Sequence, residues 1–99
     1  MAEVVFRRAA ERDLEEIVAH IAIDDMEAAS RFRDRIVARI KVLQTLPNSA
    51  QPRPEFGADT RTIPIGSYIA FVRVRGSKVA MLRILHGARD LPRIMKPRP

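Results

Sequence analysis

The sequence predicts an α+β domain. An N-terminal strand and an antiparallel helical hairpin would pack on a small, mainly antiparallel sheet that ends in a C-terminal three-strand meander. Three observations carry this expectation. From Ala9 to Leu46 the apolar residues recur at spacings of three and four, the period of an amphipathic helix. From Thr60 to His86 they alternate or run together and are rich in Val, Ile and Phe, as strands are. Between the two patterns PNSAQPRPEFGAD, Pro47 to Asp59, holds three prolines and a glycine and so reads as a loop. With 99 residues, 46% hydrophobic and 30% charged, the chain makes one domain, 1–99, with a small core.

The elements follow in order. EVVFRR, Glu3 to Arg8, opens with β-branched valines and reads as a short strand. In AAERDLEEIVAHIAIDD, Ala10, Leu14, Ile17, Val18 and Ile21 form one face of a helix ending near Asp24. Asp24 is placed to cap a second helix, with Glu27 three residues later as in a capping box. That helix, Met26 to Leu46, buries Ala29, Phe32, Ile36, Ile40 and Leu43 and is stopped by Pro47. Its outer row of Glu27, Arg31, Arg35 and Arg39 reads as a solvated face, or else as a partner surface.

RTIPI carries Pro64 and suits a sheet edge or a bulge. After a turn at Gly66-Ser67, YIAFVRVR and KVAMLRILH are joined by Gly76-Ser77, which suits a type II′ hairpin. That turn pairs Arg75 with Lys78, Val74 with Val79, Phe71 with Leu82 and Ile69 with Ile84. One face then carries Tyr68, Ala70, Val72, Val74, Val79, Met81, Arg83 and Leu85. The other carries Ile69, Phe71, Leu82, Ile84, His86 and the turn-end cations Arg73, Arg75 and Lys78. Both are largely apolar and one hairpin covers one face, so a partner is expected on the other. The tail LPRIMKPRP, broken by prolines, is expected to run extended.

Composition excludes several kinds of chemistry. The absence of cysteine removes disulfides, thiolate catalysis and Cys-based zinc sites. His20 and His86 lie far apart with no metal-ligand spacing around either, so no metal or cofactor is expected. No stretch has the length of a membrane span and MAEVVFRRAAERD has no signal-peptide core, so the expected location is cytoplasmic. The net charge of +6 is uneven. Residues 1–50 hold eight basic and nine acidic side chains, a balance of −1, and residues 51–99 hold ten and three, a balance of +7. A basic half suits an anionic partner, with plain solubility as the alternative.

The element order and three segments, AERDLEEIVAHIA, IGSYIAFVRV and LRILHGARDLPRIM, resemble the ParE/RelE superfamily, toxins of bacterial type II toxin–antitoxin pairs. The likeness spans essentially the whole chain. Its last segment looks most like the ParE branch, whose members typically poison DNA gyrase. The resemblance implies a RelE/ParE-like fold and a cognate ParD-like antitoxin in a hetero-oligomer. The antitoxin's C-terminal segment, disordered when free, would fold across the toxin and cover the second sheet face. A homodimer through that face is the competing reading.

The resemblance also bears on RILHGARD, Arg83 to Asp90. The RelE branch cleaves messenger RNA on the ribosome without metal. It uses basic residues before and on the central strand, an arginine after the last strand, and a terminal tyrosine or histidine. This chain matches poorly: the loop has Arg53 and Arg61 but no lysine, and Ile69 stands where the central-strand arginine would be. Arg89 does match. Were the chain a nuclease, its set would be His86, Arg89 and Arg61.

The expected function is instead a non-enzymatic toxin that binds gyrase and stabilises cleaved DNA. A RelE-type ribonuclease and a non-toxic antitoxin-binding module are the alternatives, and direct nucleic-acid binding is left open. Contact candidates for target or antitoxin are Tyr68, Phe71, Arg73, Arg75, Arg83, His86, Arg89 and Asp90. Arg93, Ile94 and Met95 join them because the C-terminal region of ParE-like toxins has been tied to toxicity. His86 reads as a structural or partner-binding residue at a strand end, and Arg89 and Asp90 as a pair or a cap. Arg83, on an apolar face, needs a partner: an acid of the first helix, or an antitoxin carboxylate.

Overall fold

The computed structural model describes residues 1–94, with side chains as far as Pro92. Strand β1 (Glu3–Phe6) leads into the hairpin of α1 (Arg8–Asp24) and α2 (Met26–Thr45). Two short 3-10 turns and the two-residue strand β2 (Gln51–Pro52) follow. Then come β3 (Thr60–Ile65), β4 (Tyr68–Arg75), β5 (Lys78–His86) and α3 (Gly87–Ile94). The five strands lie in the order β1-β5-β4-β3-β2, antiparallel except for the parallel pair β1–β5. No helix among the described residues is long and apolar enough to cross a membrane.

The helical hairpin covers one face of this sheet. Ala10, Ile17, Phe32, Ile36 and Leu43 meet Ile63, Ile65, Ala70, Val72, Val79, Met81 and Ile84 in one core. The helical period selects the helix residues of this core and the strand period selects Ala70, Val72, Val79 and Met81, whereas the expected alternation puts Ile84 on the other face. The cap of α2 is Asp25 rather than Asp24: its side chain accepts the Ala28 N–H at 3.0 Å. Glu27 therefore falls at the second helical position, one short of the capping box. Helix α1 already uses Asp24, so the joint between the helices is a single extended residue.

The hairpin turn of β4 and β5 has Gly76 at φ 57°, and the expected pairs hold from Arg75–Lys78 to Val72–Met81. A β-bulge then shifts the register. Phe71 pairs with Arg83 rather than Leu82, and Ile69 with Leu85 rather than Ile84. The extra residue inverts the alternation. Ile84 turns into the core opposite Ala70, His86 comes to face Tyr68, and Arg83 and Leu85 leave the face first assigned to them. Because Met81, Leu82, Ile84 and Leu85 are all apolar, the sequence pattern alone gives no preference between the two registers.

The second sheet face is less bare than its pattern suggests. Phe56, in the second 3-10 turn, packs edge-on against Phe71 with ring centroids 5.1 Å apart. At the other end α3 folds back. The Gly87 N–H donates to the Ser67 carbonyl at 2.9 Å, and a Cβ on Gly87 would lie 3.4 Å from Ile69. Phe71 and Leu85 are thereby buried, leaving half-buried Ile69 and Leu82 and exposed Val5. The first part of the tail is helical, not extended. Pro92 costs the helix one N–H, while the first turn is closed by side chains of RILHGARD. Residues 95–99 of the expected extended tail lie outside the described residues.

Strand β1 pairs only with Lys78–Met81, so the far half of β5, paired with β4 on its inner side, has no strand along its outer edge among the described residues. Helix α1 takes that place. The Arg7 N–H donates to the Met81 carbonyl at 2.9 Å, and six residues later Asp13 reaches the sheet edge. Its carboxylate accepts from the Ile84 N–H at 2.9 Å and from Arg83 at 2.7 and 3.1 Å. The partner that Arg83 needs is thus an acid of the first helix. Asp13→Ala should cost about 1–3 kcal/mol, because it strips a main-chain donor of its acceptor. Arg83→Ala, which leaves Asp13 on Ile84, should cost under about 1 kcal/mol for this half-exposed arginine. Urea melts of the two variants check the order, and equal losses would contradict it.

Candidate functional site

The free half of β5, the facing side of α1 and the start of α3 enclose a cleft of about 650 Å³. Asp13, Glu16, Ile17 and His20 enter it from α1, at the three- and four-residue steps that put them on one stripe. Tyr68 comes from β4, Arg83, Ile84 and Leu85 from β5, and Arg89 and Asp90 from α3. The bulge is what aims Arg83 toward Asp13 while Ile84 stays in the core.

The histidine of RILHGARD is an N-cap. His86 Nδ1 accepts the Arg89 N–H at 3.1 Å, and Asp90 returns the bond by accepting the His86 N–H at 2.9 Å. An accepting Nδ1 assigns the imidazole proton to Nε2 in the neutral ring. The ring stands edge-on to Tyr68, centroids 5.2 Å apart, and Tyr68 in turn meets Phe32 at 5.2 Å. Asp90 also binds the Arg89 guanidinium at 2.9 and 3.1 Å. These bonds, Arg89 first and the His86 amide second, hold its carboxyl down at about 2. The same pairing raises Arg89, and the Asp13 hydrogen bond raises Arg83 against the opposing effect of burial.

The structure therefore gathers Tyr68, Arg83, His86, Arg89 and Asp90 at one end of the sheet. It does not bring Arg61 to them. Arg61 lies two strands over and four residues along from Ile65, the β3 partner of Tyr68. At ~3.3 Å per residue that is about 13 Å along the strand. Its Nη1 is occupied by the carbonyls of Asn48 and Ala50, at 2.9 and 2.8 Å. Phe71 is buried beneath Phe56, and Arg75 pairs with Asp59 at 3.2 Å. Arg73, on the second face, has a buried Nε with no hydrogen-bond acceptor among the described residues. Arg93 and Ile94 lie in the last turn of α3, and Met95 lies outside the described residues.

Sequence reasoning missed the α1 wall of the cleft. Asp13, Glu16 and His20 share a stripe with the buried Ile17, and polar residues beside a core position on a helix mark the margin of its contact. That signal was present in the spacing. Among the described residues no three His, Asp or Glu side chains converge to hold a metal ion.

Because Asp90 is depressed in the folded chain from 3.8, its contribution to stability is complete above about pH 4 and is lost as the pH falls toward 2. An NMR titration should place the Asp90 carboxyl midpoint near 2, with the His86 amide signal moving in step. A midpoint at the ordinary carboxylate value would show that the cap is not made.

Comparison with known proteins identifies the family. The family described as ParE toxin of type II toxin-antitoxin system, parDE, matches residues 4–91. A solved structure of the chromosomal ParDE toxin–antitoxin system from P. aeruginosa is similar over 87% of this chain and 96% of its own, at 29% identity and a TM-score of 0.71. The toxin–antitoxin complex RelBE2 from Mycobacterium tuberculosis shares the fold over 86% of this chain and 96% of its own, at 24% identity and a TM-score of 0.52. No curated protein sequence gives a significant match. With the family pattern running from β1 into α3, the chain belongs to the ParE family of toxins of type II toxin–antitoxin systems.

Proposed function

We propose that this chain poisons DNA gyrase by contact, stabilising the enzyme's cleaved-DNA intermediate, and that a cognate ParD-like antitoxin neutralises it in the cytoplasm. The observation that carries the reading is how the polar groups of RILHGARD are used. His86 and Asp90 bond each other's segments to start α3, Arg89 holds Asp90, and Arg61 is engaged elsewhere. Cleaving RNA would need a base, an acid and cations converging on one phosphate. These side chains close a helix instead. A toxin that holds an intermediate of its target's reaction needs no such set, since the target breaks and reseals the strand.

An antitoxin partner is supported by the likeness to a ParDE system and by the second sheet face. Val5, Ile69 and Leu82 are apolar and only partly covered there, and the buried Arg73 Nε has no acceptor among the described residues. A partner carboxylate would complete that arginine. The ribonuclease alternative would require Arg61 to leave two main-chain carbonyls and cross the sheet.

In a supercoiling and cleavage assay, the free toxin should accumulate cleaved DNA with gyrase, and added antitoxin should suppress it. Unaffected gyrase together with cut messenger RNA on ribosomes would overturn the reading in favour of the nuclease. Arg73→Met should weaken antitoxin binding by roughly tenfold or more, the effect of losing a charged hydrogen bond of about 1.5–3 kcal/mol. The melting point of the free toxin should hold. Calorimetric titration checks the affinity.

A further inference from the structure

We infer that the arginine row of α2, Arg31, Arg35 and Arg39, is a binding surface for the phosphate backbone of nucleic acid. The row goes beyond the gyrase reading and does not depend on it. The three side chains are exposed and stand four residues apart, so they follow one another along α2, with Arg35 over the β3–β4 turn and Arg39 beside β2 and β3. At 1.5 Å per residue the row spans about 12 Å. A duplex presents roughly seven phosphate charges over that length, at one per ~1.7 Å of axis.

Pairing distinguishes this row from Arg53, Arg75, Arg83 and Arg89. Its run of three at four-residue steps on one helix distinguishes it from Arg7, Arg8, Arg12 and Arg33, which also lack an ion-pair carboxylate among the described residues. Arg53, Arg75, Arg83 and Arg89 each sit within 3.6 Å of a carboxylate. Within the row, Arg31 approaches Asp25 at only 3.9 Å, and Arg35 and Arg39 have no carboxylate within ion-pair distance among the described residues. Like charges at four-residue spacing disfavour a helix by a few tenths of a kcal/mol per pair. Asp25 and Glu27 offset this at the Arg31 end, and among the described residues no ion pair offsets it at Arg35 and Arg39.

The opposite bank completes the surface. The Arg35 guanidinium reaches over the β3–β4 turn, its Nη1 3.1 Å from where a Cβ on Gly66 would stand. Arg39 lines a shallow hollow of about 170 Å³ together with Ser49, Gln51 and Thr62. That bank brings hydroxyls and an amide but no carboxylate. Guanidinium forks beside neutral donors suit phosphodiester oxygens. An acidic protein segment, the competing occupant, would want a larger apolar seat than this hollow offers, since of its apolar lining Leu43, Ala50 and Ile63 are buried and only Val42 and Pro64 are exposed. The regular phosphate spacing of a duplex matches a straight row of cations on one helix, and the row lies on α2, away from the cleft at the open edge of β5.

Fluorescence anisotropy with a labelled 20-base-pair duplex and the full chain tests this, with no gyrase present. Each phosphate contact contributes about 0.9 to the slope of log affinity against log salt, so the row supplies about 2.7, or roughly 40-fold between 50 and 200 mM salt. The variant Arg31→Gln/Arg35→Gln/Arg39→Gln should lose that slope and at least roughly tenfold in affinity at low salt. Arg7→Gln/Arg8→Gln/Arg12→Gln removes the same charge from the start of α1 and should keep most of both. Arg39→Gln alone, a milder change, should lower the slope by about 0.9. The inference is overturned if the duplex does not bind, if the two triple variants weaken equally, or if the row variant binds like the parent. It is also overturned if the row variant loses affinity for polyglutamate while keeping it for the duplex, which would assign the row to an acidic protein. Gyrase poisoning is measured separately, so either reading can fail without the other.

Discussion

The Asp13 carboxylate is the contact on which the arrangement of the molecule turns. Four residues of β1 cannot cover nine of β5, so the main-chain donors of the far half of β5 face outward with no strand to receive them. Ile84 and His86, two apart and on the same edge, are both met by carboxylates, Asp13 from α1 and Asp90 from α3. An exposed strand edge invites pairing with other chains. Here two side chains close it, and each also ties a helix to the sheet. The opposite margin is closed differently, by Pro52 and Pro64, which lack the N–H a strand would need.

Placing Asp13 at that edge has consequences for register. Arg83 must leave the core face to reach Asp13, while Ile84 must stay in the core and still turn its N–H outward. A regular strand alternates its side chains and would send Arg83 to the same face as Met81. One extra residue at Leu82 reconciles the demands. The bulge, the ion pair and the edge bond are therefore one feature seen at three levels. It explains why an arginine sits within the otherwise apolar run Val79–Leu85 of β5.

This also marks where the sequence is legible and where it is not. The helices, their buried faces, the short joint between them and the Gly76-Ser77 turn are local in origin, and periodicity and turn chemistry expose them directly. The bulge is not local: it is decided by a carboxylate seventy residues earlier, and the apolar run Met81–Leu85 reads equally well in either register. The cap of α2 shifted by one residue because Asp24 and Asp25 are both competent and the end of α1 chooses between them. The tail misled for a related reason. Pro92 argues against a helix on propensity, but His86, Arg89 and Asp90 close its first turn with hydrogen bonds that a pass along the sequence cannot weigh. For the site, the strand side of the cleft was in view and the α1 side was not, since attention fell on RILHGARD and not on the stripe beside Ile17.

The same residues bear on what kind of toxin this is. A carboxyl that serves as acid or base near neutrality is usually shifted toward the working pH, by burial or by a like charge. Asp90 is driven the other way, to about 2, by an arginine and a main-chain amide. At neutral pH it is a fixed anion, suited to anchoring a helix and unsuited to moving a proton. His86 spends its lone pair on the Arg89 amide. A histidine, an arginine and an aspartate in eight residues look like chemistry when read as a list. Their hydrogen bonds turn inward to build α3, and that supports a toxin whose effect on its target comes through the surfaces this end of the sheet holds in place.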